Sequence, residues 1–177
     1  PRGHRLTCHA RPQMGPVRQD DPVFPRAVCE VDLDAISANV EILARCAPTS
    51  AVLAVVKADG YGHGLVPAAR AALTGGAQWL GTALPAEAVA LRREGLTAPM
   101  LVWLWTPGDP DVVECVRGEI DVTVSSTWQL QAVRAAGHAT GGCARVQLKV
   151  DTGLGRNGAT LDDWPELVAG AAAMQAA

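Results

Sequence analysis

The chain has 177 residues, 49% hydrophobic and 19% charged, with a formal net charge of −3; that length suits one domain, and the composition excludes a disordered chain. A pI near 5.8 and the lack of a basic run exclude a nucleic-acid footprint, and no stretch approaches the roughly 18 apolar residues of a membrane span. Five cysteines (Cys8, Cys29, Cys46, Cys115 and Cys143) are odd in number and share no C-x-x-C spacing, and no signal-peptide pattern opens the chain, so reduced thiols in a cytoplasmic protein are expected.

Residues 1–26 contain five prolines and show no periodicity, which predicts a flexible extension. Met14 is a candidate start within it. His4, Cys8 and His9 lie in that extension without a fourth ligand, so no metal site is expected.

From residue 27 onward the pattern is regular. VCEVDL alternates as a strand and DAISANVEILARCA follows as a helix, with Ile36, Val40 and Leu43 on one face and Asp34 placed as N-cap. AVLAVVK then reads as a strand and LVPAARAALTGG as a helix stopped by Gly75 and Gly76. WLGTA leads into PAEAVALRREG, where Pro85 suits the first turn and Gly95 the stop. MLVWLW, a TPGDP turn and DVVECVRG come next, followed by IDVTVS and STWQLQAVRAAG. RVQLKVD is the last strand, and a helix is predicted from near Thr160, which stands at capping-box spacing from Asp163.

Alternating β and α elements predict a parallel sheet with right-handed crossovers. RVQLKVD sends Arg145, Gln147, Lys149 and Asp151 one way and Val146, Leu148 and Val150 the other. A polar lining behind an apolar, helix-covered face favours a barrel over a doubly wound sheet. A complete barrel needs eight units and about 250 residues. The fold class read here is therefore α/β, a partial (β/α)8 TIM-type barrel of about five βα units over residues 27–177.

Two stretches carry candidate chemistry. DTGLGRNG spells G-x-G-x-x-G through Gly153, Gly155 and Gly158, but no acidic residue follows about 20 positions later at a strand end, as a dinucleotide fingerprint requires. Its glycines are better read as letting the backbone turn so that Arg156 reaches a site. The other stretch is AVVKADGYGHG. A lysine ending an apolar strand reads as a snorkelling side chain, as an ion-pair partner of Asp59, or as a nucleophilic amine made reactive by burial.

AVVKADGYGHG, LKVDTGLGRNG, EVDLDAISANV and GTALPAEAVALRREGLTAPMLV together resemble the alanine racemase family, fold-type III pyridoxal-phosphate enzymes, from about residue 27 to 177. The resemblance implies a barrel domain followed by a C-terminal β domain that lies outside this sequence. It also implies pyridoxal 5'-phosphate as cofactor, L- and D-alanine as substrates and a homodimer. Lys57 would carry the cofactor and act as one of two bases. Tyr61 would bind the cofactor phosphate, and Arg156 the cofactor's phenolic oxygen and the substrate carboxylate. Trp103 stands where a leucine usually lines the cofactor pocket, and Lys149 matches a lysine that some members carry as a carbamate. Asp59 and Gly60 depart from the family's Asn-Ala, and His63 is read as holding the loop. The family's second base is a tyrosine of the partner subunit, whereas Tyr61 is the only tyrosine here; this stretch alone is expected not to racemise alanine. Alternatives are a serine or broad-specificity amino-acid racemase, or a non-catalytic carrier of the same cofactor.

Overall fold

The computed structural model describes residues 5–8, by their backbone, and residues 28–175. Most of the predicted extension, with Met14, His4 and His9, lies outside the described residues. Within it, Arg5–Cys8 forms strand β1, which pairs antiparallel with β2 (Cys29–Asp32).

Helix α1 (Leu33–Cys46) begins directly after β2, and its N-cap is Asp32 rather than Asp34: the Asp32 carboxylate accepts from Ala35 N at 3.1 Å. The strand ends one residue earlier than the pattern suggested, at Asp32. Asp34 falls in the first turn, where a negative charge still favours the helix dipole. A Cβ on Gly75 would lie 2.3 Å from Ser37 O, so α1 packs closely on the end of the next long helix.

The remaining strands are β3 (Leu53–Val55), β4 (Trp79–Thr82), β5 (Met100–Val102), β6 (Asp121–Val124) and β7 (Val146–Leu148). They form one five-stranded parallel sheet in sequence order. Between them lie α2 (Lys57–Tyr61), α3 (Leu65–Thr74), α4 (Pro85–Arg93), α5 (Pro110–Arg117) and α6 (Thr127–Thr140), with α7 (Trp164–Gln175) last. Sequential parallel order with a helix at each crossover is the arrangement of barrel units, as expected.

Pro85 opens α4, and Gly95 follows its end at φ 82°. The last helix starts at Trp164, not near Thr160. Thr160 Oγ1 donates to the Asp163 carboxylate at 2.6 Å and accepts from Asp163 N, and that pairing shapes a turn ahead of the helix.

Leu80, Met100, Val102, Val122 and Val124 are buried on the helix-covered face with Ala69, Ala88, Leu91, Cys115 and Val133. Full burial of each aliphatic strand side chain contributes about 1.5–3 kcal/mol. The opposite face is polar towards β6 and β7. Gln147 Nε2 donates to Asp121 Oδ2 at 3.0 Å, and Arg145 lies 2.6 Å from Asp121 Oδ1. Val146 and Leu148 pack towards the core, so the alternation in RVQLKVD sorts as predicted.

Candidate active site

Lys57 lies two residues beyond the end of β3, at the C-terminal edge of the sheet. Val56, buried, donates its N–H to Gly81 O at 2.9 Å and ties this end of β3 to β4. Lys57 itself is half-buried rather than enclosed, because β3 is an edge strand with one open flank.

The backbone then does something no sequence pattern announced. Ala58, Asp59, Gly60, Tyr61 and Gly62 all have positive φ, at 53°, 55°, 62°, 57° and 84°. A left-handed conformation costs a non-glycine residue on the order of 1–2 kcal/mol. Such strain persists only where neighbouring groups fix it. Gly60 N donates to Val56 O (2.9 Å), Gly64 N to Asp59 O (2.8 Å) and Gly62 N to Ala58 O (3.1 Å). The Asp59 carboxylate accepts from Leu65 N at 2.7 Å, so it holds the start of α3 in place. His63 Nδ1 lies 2.8 Å from Gly60 O, in keeping with the loop-holding role expected of it. Gly60 has no room for a side chain, since a Cβ there would lie 2.8 Å from that of Ala68.

This turn places the Lys57 amine over the Tyr61 ring, 5.3 Å from its centroid, within the range of a cation–π contact. Tyr61 is 57% exposed, so its hydroxyl is open to a ligand.

Trp103 follows β5 directly. A Cβ on Gly81 would meet its ring at 2.8 Å and Leu53 Cδ2 at 2.6 Å, so the indole lies across the β4 glycine on the face that also carries Leu53. Trp105 turns back into the core, where its Nε1 donates to Thr123 O at 2.8 Å.

Lys149 follows β7, half-buried, with its N–H on Val124 O at 2.9 Å. The segment after it is a closed loop. Ala159 N donates to Lys149 O and Asp151 N to Ala159 O, both at 2.8 Å. The Asp151 carboxylate accepts from Gly153 N (2.9 Å) and Gly155 N (3.1 Å), and these two backbone donors hold its pKa below the ordinary carboxylate range. Arg156 is exposed on this loop. Its neighbour Asn157 accepts from Ser125 Oγ at 3.0 Å and donates to Trp103 O at 3.5 Å, so the loop is tied to the ends of β5 and β6. Gly158 is followed by five further residues before α7. The glycine run therefore does not open directly into a helix as a dinucleotide loop does.

All five residues singled out by sequence lie at one edge of the sheet: Lys57 and Tyr61 after β3, Trp103 after β5, Lys149 and Arg156 after β7. Sequence reasoning missed Glu87, Asn157 and Ser125. Glu87 is the third residue of α4, behind Pro85. Its Oε1 accepts from Ala58 N at 2.6 Å, and its Oε2 accepts from Ala83 N and Leu84 N, each at 3.0 Å. The helix-start pattern was a readable signal for the last bond, but not for the one to Ala58. Among the described residues no group of three or more His, Cys, Asp or Glu is placed to hold a metal, and no helix is long and apolar enough to cross a membrane.

Parallel β/α units in sequential order, with an amine, a phenol and a guanidinium each placed after the C-terminal end of a strand, define a barrel-type enzyme domain. The family model described as alanine racemase, N-terminal domain, matches residues 31–177, and the chain belongs to that family. An alanine racemase of Frankia casuarinae is 50% identical over 151 residues, 85% of this chain and 39% of that protein. The crystal structure of alanine racemase from Streptomyces lavendulae superposes with a TM-score of 0.79 at 56% identity, over 81% of this chain and 37% of that one. A histidine racemase from Leuconostoc mesenteroides superposes at 0.70 with 27% identity, over 80% and 38%. The chain thus spans about two-fifths of the length of the relatives it matches.

Proposed function

We propose that this chain serves the pyridoxal 5'-phosphate-dependent interconversion of L-alanine and D-alanine. The observation that carries the reading is the Lys57 amine, half-buried at the C-terminal end of β3 and stacked over Tyr61 by a strained turn. The donor set fits the cofactor. There is an amine for its aldehyde, an exposed phenol for its phosphate, an indole wall over a glycine floor, and a guanidinium for its phenolic oxygen.

When bound, the cofactor supplies a pyridine ring that accepts electron density from the substrate's α-carbon and acidifies its hydrogen. The protein's own groups do the rest. Lys57 Nζ would hold the cofactor through its aldehyde, and its amine would take or return the α-proton on one face. Arg156 presents a planar fork to the substrate carboxylate, which fixes the α-carbon–hydrogen bond in direction. Tyr61 O–H would donate to the phosphate. Trp103 walls the pocket and excludes water. Lys149, as a carbamate, would offer an acceptor that orients Arg156.

Exchange on both faces needs a second base opposite Lys57, and Tyr61 is already committed to the phosphate. A tyrosine from a partner subunit fills that role in the reading advanced here. The mouth supports a partner: Leu84, Leu104, Leu154 and Leu161, in the loops after β4, β5 and β7, and Trp128 in the first turn of α6 are exposed, Leu154 to 77%.

Borohydride reduction of the cofactor-loaded protein should leave a pyridoxyl group on Lys57, found by peptide mass spectrometry and absent in Lys57→Ala. A reduced protein with Lys57 unmodified would sink the proposal. A second reading, a serine or broader amino-acid racemase, is favoured by the fold shared with a histidine racemase. Stereochemical assays across L-alanine, L-serine and L-histidine, run on a longer chain that carries the second base, decide between them, with preference for alanine expected.

A further inference from the structure

Ala58 is the first residue after the candidate cofactor lysine, and its φ of 53° turns its N–H away from any sheet partner. That donor is accepted by a carboxylate 29 residues further on: Glu87 Oε1 lies 2.6 Å from Ala58 N. The same carboxylate accepts Ala83 N and Leu84 N through its other oxygen, both at 3.0 Å. One side chain therefore closes three backbone donors from two consecutive βα units.

An acid at the third position of a helix ordinarily caps that helix, and Oε2 does so here. Oε1 has no such duty. It faces out of α4 into the loop that carries Lys57, and charge-assisted bonds of this kind are among the strongest a carboxylate makes. We infer that Glu87 is a positioning residue for the reaction: it fixes the left-handed turn after Lys57, and through that turn the place of the amine relative to Tyr61. This inference rests on the cofactor reading above.

Glu87→Gln separates the two duties. A glutamine still caps α4 through its carbonyl oxygen, but its amide nitrogen then meets Ala58 N–H donor to donor. Glu87→Asp also keeps an acid in the first turn and falls one methylene short of Ala58. Both variants are made in the cofactor-loaded protein. Backbone hydrogen exchange at Ala58 is read against core amides such as Leu80 and Val102 in the same sample, together with cofactor dissociation and the yield of reduced adduct on Lys57.

Losing one charged hydrogen bond predicts exchange at Ala58 faster by about tenfold or more, with the core amides unchanged. Cofactor affinity should weaken by a similar factor, and adduct yield should fall. A residue acting only as a cap would leave Ala58 exchange and cofactor affinity within about twofold of the parent, and that result overturns the inference. Faster Ala58 exchange with unchanged cofactor binding overturns it as well. A parent protein that gives no adduct at Lys57 sinks the cofactor reading and the positioning role with it; a parent that does, beside unmoved variants, sinks this inference alone.

Discussion

Gly158→Ala is the most informative single change to the loop that carries Arg156. Gly158 has φ 129°, a region that side-chain-bearing residues scarcely enter, and a Cβ there would lie 2.5 Å from Asp151 N and 2.7 Å from the carbonyl carbon of Val150. Those are backbone atoms and cannot swing aside. The conformational cost of such a residue is about 1–3 kcal/mol. Relief of the clash requires Val150–Asp151 and Gly158–Ala159 to part, which breaks the bridge between Val150 and Ala159 and its two 2.8 Å hydrogen bonds. At about 1 kcal/mol net for each bond, the whole penalty is roughly 3–5 kcal/mol if the bridge parts while residue 158 keeps its positive φ. If the whole loop opens instead, the backbone strain is relieved and the penalty is capped at the cost of opening. Gly155→Ala is the matched control. It lies in the same loop at φ 70°, with nothing within 4 Å of an added Cβ, so only the left-handed cost of about 1–2 kcal/mol applies. Urea unfolding gives the two stabilities, and backbone hydrogen exchange at Ala159 reports whether the loop has opened. Equal destabilisation by the two substitutions, with Ala159 still protected in Gly158→Ala, would refute the steric reasoning.

Acid should loosen the same loop. The Asp151 carboxyl is held low in the folded chain by Gly153 N and Gly155 N. Its contribution is therefore complete above the unfolded aspartate pKa, about 4, and is lost as pH falls below that through the folded value. Exchange protection at Gly153 and Gly155, followed from neutral pH downward, should persist below pH ~4 and vanish in more acid solution; Asp151→Asn should abolish that dependence, and a pH-independent parent would contradict it. Burial pushes the Cys115 thiol up to about 12, whereas Cys29, Cys46 and Cys143 are exposed. An alkylating reagent at neutral pH should label those three in the native protein and reach Cys115 only after denaturation, because the thiolate is the nucleophile. Labelling of Cys115 at a rate matching Cys143 would contradict the packing described.

The five parallel strands and the helices between them, the short α2 excepted, were legible in the sequence, because hydrophobic period and helix punctuation are properties of adjacent residues. Pro85 and Gly95 bracket α4 whatever surrounds it, and the alternation in RVQLKVD assigns its two faces without reference to a neighbour. Lys57 was legible for the same reason, as a charge at the end of an apolar run. Boundaries were less so: Asp32 took the cap from Asp34 once β2 stopped early, and the Thr160–Asp163 pair spent itself on a turn.

What only the tertiary structure decided is how that lysine is held. By local propensity Ala58, Asp59 and Tyr61 belong to the right-handed or extended regions, and three glycines within five positions suggest that glycine alone absorbs the turn. They take the left-handed form because the register Val55 to Gly81 brings the start of α4 beside the end of β3, where Glu87 accepts the N–H that the turn exposes. Asn157 depends in the same way on Ser125 and Trp103, 32 and 54 residues away. A hydrogen-bond acceptor supplied by a neighbouring strand–helix unit leaves no periodic trace, so the candidate lysine is written in its own segment while its geometry is written in the segments beside it.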